Sequence, residues 1–163
     1  MLHDNKILVA YFSCSGVTAK AARALAEVTG ADLYEIRPKV PYSSADLNWN
    51  NPSSRSSVEM NNPSARPELA GELPNLAEYD SVFIGFPIWW YVAPRIINTF
   101  LERCDFSGKI IIPFATSGGS GLGKAEEKLR GSCAASAVWR PGKLLNSGVT
   151  KDTLTAWVSR LRL

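Results

Sequence analysis

The chain is predicted to fold as one α/β domain around a doubly wound, five-stranded parallel sheet. Three observations predict it. Short, nearly continuous apolar runs stand at residues 6–12 (KILVAYF), 81–86 (SVFIGF) and 109–115 (KIIIPFA), and strands covered on both faces read this way. Each run is followed by a helical pattern, the alternation that builds a parallel sheet with helices on both sides. The 163 residues, 45% of them hydrophobic, suffice for one compact core and are too few for two ordinary domains.

In order along the chain, residues 6–12 lead directly into a helical pattern from about 18 to 28. Residues 32–37 (DLYEIR) alternate as a less completely covered strand does. After the buried run at 81–86, Pro94 stands where proline suits a first helical turn, and Ile96, Ile97, Phe100 and Leu101 share one face of the helix. The run at 109–115 passes through TSGGSGLG into KAEEKLR, again strand, glycine-rich loop and helix. Residues 135–139 are expected as the last strand and 150–161 as a closing amphipathic helix. Residues 40–67 break the rhythm, being rich in Ser, Asn and Pro and too long for a plain connection. Their SSADLNW portion reads as a short helix capped by Ser43 or Ser44. Two readings of the segment stay open: a solvated surface excursion, or a flap whose Tyr42, Trp49 or Arg55 covers a ligand or a partner.

Composition removes several classes of function. No apolar run approaches the ~20 residues of a membrane helix, and the start MLHDNK lacks the pattern of a secretion signal. The expectation is a cytoplasmic protein with no membrane partner. The net charge of +3 is mild and its Lys and Arg are scattered, so no nucleic-acid partner is expected. Cys14, Cys104 and Cys133 are the only cysteines and form no CxxC pair, which argues against a disulfide framework or a zinc site. His3 is the sole histidine. A Ser/His/Asp triad or a His-rich metal centre therefore lacks material, and no metal or catalytic residue is assigned.

In doubly wound sheets ligands bind outside the carboxyl ends of the strands, which directs attention to SCSGVT, FPIWWY and TSGGSG. The first offers hydroxyls, a glycine for a tight turn and the free N–H groups of a helix start, a combination suited to a phosphate monoester. It is equally readable as a capped helix, with Ser15 or Thr18 satisfying the first turn. The second places three bulky rings just past a buried strand; they cannot all point inward, so some are exposed or stack on a planar ligand. The third is bare backbone, suited to close approach of a flat ring. Together they describe a site for a flat heterocycle bearing a phosphate.

The pattern S-x-S-G-x-T after the first strand, PIWW after the next buried strand and TSGG after the following one resembles the flavodoxins, and the likeness covers nearly the whole chain in element order. It implies a flavodoxin-like three-layer fold with strand order 2-1-3-4-5, FMN as cofactor, and electron transfer between redox partner proteins by a monomer or weak homodimer. On this likeness Ser13, Ser15, Gly16, Val17 and Thr18 take the phosphate. Pro87, Ile88, Trp89, Trp90 and Tyr91 line one face of the isoalloxazine, and Ser117, Gly118 and Gly119 its far edge. The loop IWWYV has no glycine. In flavodoxins a peptide of this loop can flip on one-electron reduction, and if Trp90–Tyr91 is that peptide the resemblance implies that the type II turn so formed puts a positive φ on Tyr91, at a cost of roughly 1 kcal/mol or more.

Three other readings are weighed against this one. Residues 118–124 (GGSGLGK) have the spacing of a nucleotide-phosphate loop, but Ala125 replaces the Ser or Thr that would hold Mg²⁺. Cys14 sits in a phosphate-loop position, as the nucleophile of small cysteine phosphatases does, yet Lys20 and Ala21 stand where such enzymes carry Arg and Ser or Thr. Within flavoproteins, an NAD(P)H-dependent quinone or flavin reductase is the alternative to a carrier; the basic charge and the long polar segment favour it.

Overall fold

The computed structural model describes residues 6–117, 122, 124–146 and 149–163. β1 (Ile7–Tyr11) leads into α1 (Val17–Thr29), and β2 (Asp32–Glu35) follows. The segment 40–67 contains the short helix α2 (Arg55–Asn61). Then come β3 (Ser81–Pro87), α3 (Arg95–Arg103), β4 (Ile110–Thr116), α4 (Ala125–Arg130), two short strands β5 (Val138–Trp139) and β6 (Lys143–Leu144), and α5 (Lys151–Leu161). All ladders are parallel in the order β2-β1-β3-β4-β5, with β6 also on β4. This is the 2-1-3-4-5 arrangement that the resemblance implies.

The period of two along β1 sends Leu8, Ala10 and Phe12 into one core and Val9 and Tyr11 into the other. The first core is covered by Ile96, Ile97, Phe100 and Leu101 of α3 and by Leu129 of α4. The second is covered by Ala22 and Leu25 of α1 and by Leu154, Trp157 and Leu161 of α5. Both faces of β1, β3 and β4 are buried, which is why these strands read as unbroken apolar runs. β2 lies at the sheet's edge, where Asp32, Leu33 and Glu35 remain exposed.

The last strand differs from the expected 135–139: it is short and split into β5 and β6. The cause lies in β4. Lys109, Ile111 and Ala115 accept bonds from Val138, Arg140 and Leu145 respectively, so the odd-numbered residues of this stretch face the fifth strand, and Pro113 is one of them. Proline has no N–H to give. The ladder therefore lapses opposite Pro113 and resumes at Lys143.

Residues 40–67 are fastened to the body. Their ends are zipped together at an antiparallel bridge between Pro38 and Leu69. Arg95 Nη2 donates to the Met60 carbonyl at 2.9 Å, and Arg66 pairs with Glu102 at 3.0 Å, tying the segment to α3 at two points. The SSADLNW portion makes a single turn and not a helix; Ser43 and Asp46 each accept from the other's backbone N–H, which closes the turn locally. Among the described residues no helix is long and apolar enough to cross a membrane.

Candidate functional site

The loop after β1 is held where it leaves the strand, because the Phe12 N–H donates to the Gly85 carbonyl at 2.9 Å. Inside the loop the Gly16 N–H donates to Ser13 Oγ at 3.2 Å. Gly16 has a φ of 91°, a left-handed conformation that turns the chain sharply into α1. This 13-residue helix begins with no side-chain cap and no acidic residue in its first turn. Ser15 and Val17 are exposed there. The capped-helix reading therefore finds no side-chain cap among the described residues, and the positive end of the helix dipole stands at this loop.

Thr18 is buried, with its Oγ1 2.7 Å from Oγ1 of Thr116 at the end of β4. A hydroxyl both donates and accepts, so this bond joins the first and third loops while leaving hydrogen-bonding capacity at the helix start. Thr18→Ala is expected to lower stability by about 1 kcal/mol or somewhat more, because it leaves the buried Thr116 hydroxyl unpaired. Thr18→Ser should retain most of it. Urea denaturation of the flavin-free protein checks both, and equal losses for the two variants would assign the effect to the methyl group instead.

The second loop is a two-residue hairpin. Trp89 and Val92 exchange backbone hydrogen bonds of 2.9 and 3.1 Å, and the residues between them are both left-handed, Trp90 with φ 48° and Tyr91 with φ 68°. This is a type I′ turn, with the positive φ on both central residues and not on Tyr91 alone. Bulky residues in this region are strained by about 1–2 kcal/mol each. The three rings part company. Trp89 turns inward and meets Phe12 and Tyr42 edge-on, with centroids 5.8 and 5.5 Å apart. Trp90 and Tyr91 stay outside, 42% and 71% exposed.

A cavity of about 500 Å³ lies between these loops and the 40–67 segment, within the ~300–1,000 Å³ of small-molecule sites. Cys14 and Ser15 line it from the first loop, Pro87, Ile88, Trp89, Trp90 and Tyr91 from the second, and Leu47, Trp49 and Ser56 from the long segment. Ser15 also borders a second cavity of about 720 Å³, which runs past Gly16, Val17, Lys20 and Arg23 to Asn146 and Thr150. An aromatic slot thus adjoins the uncapped helix start. Leu47 and Ser56 carry no signal in sequence that marks them for a site; they arrive through the fold of residues 40–67.

That wall is braced from behind. The Arg55 guanidinium lies over the Tyr42 ring at 3.8 Å, while its Nε donates to Glu59 Oε2 at 3.0 Å and its Nη1 to the Val40 carbonyl at 2.7 Å. The Tyr42 hydroxyl donates to the other Glu59 oxygen. Burial, then this bond, raises the Tyr42 pKa and keeps the phenol neutral. Of the three residues considered for covering a ligand, Trp49 lines the cavity, whereas Tyr42 and Arg55 support its wall.

In the third loop, the Ser117 N–H donates to Asn146 Oδ1 at 2.8 Å, and the Ile88 N–H donates to the Thr116 carbonyl at 2.9 Å. Gly118 and Gly119 lie outside the described residues, as does most of the 118–124 run with nucleotide-loop spacing. Cys14 is exposed, but the loss of water around its thiol, only partly offset by Arg55, pushes the pKa up to about 11. A phosphatase nucleophile needs the opposite shift.

Comparison with known proteins shows what the chain is similar to. The sequence pattern of a family described as Flavodoxin matches residues 6–161. The chain is similar to a candidate flavoprotein of Bacteroides eggerthii, with 50% identity, 97% of this chain and 98% of that chain covered, and a TM-score of 0.92. A second, from Bacteroides uniformis, has 50% identity over 95% of this chain and 98% of that one, with a TM-score of 0.90. A Lactobacillus acidophilus flavoprotein in complex with FMN shares the fold at 21% identity, covering 86% of this chain and 93% of that one, with a TM-score of 0.67. No curated protein matches the chain.

Proposed function

The chain belongs to the flavodoxin family, and on that premise we propose that it binds FMN and carries low-potential electrons between redox partner proteins. The observation that supports this reading is the junction at Ser15, where an uncapped helix start meets an aromatic-walled cavity. The two ends match the two ends of FMN. The amides of residues 17 and 18 and the hydroxyls of Ser13 and Ser15 would hold the phosphate, the Gly16 N–H orienting Ser13 Oγ, with no cationic side chain required. Pro87, Ile88 and the rings of Trp89, Trp90 and Tyr91 would flank the flat ring, and Ser117 stands at the loop on its far side.

When bound, FMN supplies the redox chemistry, and the protein supplies position and electrostatics. Apolar rings around the site and a dianionic phosphate nearby oppose the build-up of negative charge in it, which favours a low potential. Trp49, Trp90 and Tyr91 are all more than two-fifths exposed, so the cavity opens through a rim of aromatic side chains, a surface on which a redox partner can dock.

The reductase reading draws on the second cavity, where Lys20 and Arg23 stand beside Ser15 and offer positive charge to an anionic pyridine nucleotide. One preparation separates the two. Purified protein is expected to bind FMN, to bind riboflavin about tenfold or more weakly for want of the phosphate bonds, and to be bleached anaerobically by dithionite but not by NADPH alone. Rapid bleaching by NADPH or NADH would establish the reductase, and equal affinity for FMN and riboflavin would remove the phosphate role of the first loop.

A further inference from the structure

We infer that Ser56 is a ligand-contacting residue whose hydroxyl hydrogen-bonds the polar edge of the flat heterocycle in the 500 Å³ cavity, making residues 40–67 a wall of the binding site. The inference rests on the proposed FMN reading for the identity of that heterocycle.

Ser56 is only 2% exposed, yet it lines the cavity. Its Oγ is buried and has no hydrogen-bond partner, a condition shared among the described side chains only with Arg140 Nε, which is not among the residues lining this cavity. Buried hydroxyls are nearly always paired, and an orphan in a native fold calls for a missing partner. Neighbouring serines show that the chain could have satisfied it. Ser54 Oγ donates to Ser57 Oγ at 2.9 Å and also accepts the Ser57 N–H at 3.4 Å, so those two side chains serve each other and the start of α2. The hydroxyl of Ser56 alone is left over among these three serines, and Ser56 is the one of them that lines the cavity.

Its position is also held firmly. The Ser56 N–H donates to the Asp46 carbonyl at 2.9 Å, which locks α2 to the turn carrying Leu47. Arg55 on one side and the Arg95 bonds to the Glu59 and Met60 carbonyls on the other keep α2 in place. A hydroxyl in a residue so fixed, which shares the cavity lining with the apolar Leu47, Ile88 and Trp89, suits a planar ring that is apolar on its faces and carries acceptors along one edge. The isoalloxazine of FMN is such a ring. A second flat ring lying against it, a nicotinamide or a quinone, has similar chemistry, and the test distinguishes the two.

Flavin-free parent and Ser56→Ala proteins are titrated with FMN and with riboflavin, following flavin fluorescence, and their thermal unfolding is measured without ligand. For Ser56→Ala the dissociation constants of both flavins are expected to rise together by about five- to tenfold, since the contact is to the ring and not the phosphate. Its unliganded melting temperature should equal or exceed the parent's, because the substitution removes an unsatisfied polar group. A purely structural role predicts a lower melting temperature. Parent-like affinity for both flavins overturns the inference, and so does weakened binding accompanied by a lower unliganded melting temperature. Parent-like flavin affinity with weakened binding of NADH or a quinone overturns the flavin contact and gives the hydroxyl to the second ring. If the parent itself binds no FMN, the proposed function falls and takes this contact with it; if the parent binds FMN and the variant binds it equally, the contact alone falls.

Discussion

Gly85→Ala is expected to destabilise the protein by about 3 kcal/mol, the upper part of the range for forcing extra volume into a packed core. Gly85 pairs with Phe114 across β3 and β4, and the Phe114 ring lies directly over it. A Cβ at Gly85 would stand 2.1 Å from Cζ of that ring and 2.3 Å from Cε2. Phe114 is fully buried among Val9, Phe83, Ile112, Leu154 and Trp157, so the ring cannot swing aside without opening the contact between the sheet and α5. The clash also reaches the site, because the Gly85 carbonyl holds the Phe12 N–H at the start of the first loop. Urea denaturation should show a lower midpoint with an unchanged slope. Gly85→Ala combined with Phe114→Leu should lose less than the sum of the two single changes. A single variant within 1 kcal/mol of the parent would mean that the ring does not occupy this space.

The second large effect is expected at the hairpin. Replacing Trp90 and Tyr91 by Asn and Gly, the residues that type I′ turns prefer, should stabilise the flavin-free protein by about 2 kcal/mol, taking the lower end of the strain for each left-handed residue. A rise in melting temperature of roughly 4–8 °C corresponds to that gain in a chain of this size. FMN binding should move the other way, losing about 1–3 kcal/mol if Trp90 or Tyr91 stacks on the ring, by analogy with nucleobases on aromatic side chains. Opposite signs for fold and ligand are the signature of strain kept for function. Tyr91→Gly alone, which removes the more exposed ring, should give about half of the stabilisation. If the double variant is no more stable than its parent, the turn carries no such strain.

The legibility of the chain differs from element to element for identifiable reasons. β1 was readable because Leu8 and Val9 are buried on opposite faces, so both alternating sets of the strand are apolar. The split of the last strand was in principle readable too, since Pro113 stands inside a buried strand, but its effect appears on a partner some thirty residues away. The Thr18–Thr116 bond spans 98 residues, and no local pattern announces it. Trp90 and Tyr91 were unreadable in a stricter sense: their types disfavour the turn they adopt. Ser56 lies in a stretch with serines on every side, and composition cannot say which hydroxyl will lack a partner.

What the sequence determined by itself was therefore the alternation of the main strands with the helices α1, α3, α4 and α5 that cover them, and the position of its candidate loops at the carboxyl ends of those strands. Those follow from local properties: a period of two, a period of 3.6, and glycine where the backbone must turn. Tertiary structure alone decided the walls of the cavity. It drew residues 40–67 against α3 through Arg95 and Arg66, sent Trp89 inward against Phe12 and Tyr42, and brought Leu47 and Ser56 into one cavity lining with residues 87–91. Each of these is settled by contacts between segments far apart in the chain, where packing and hydrogen-bond pairing outweigh the roughly 1 kcal/mol preferences of individual residues.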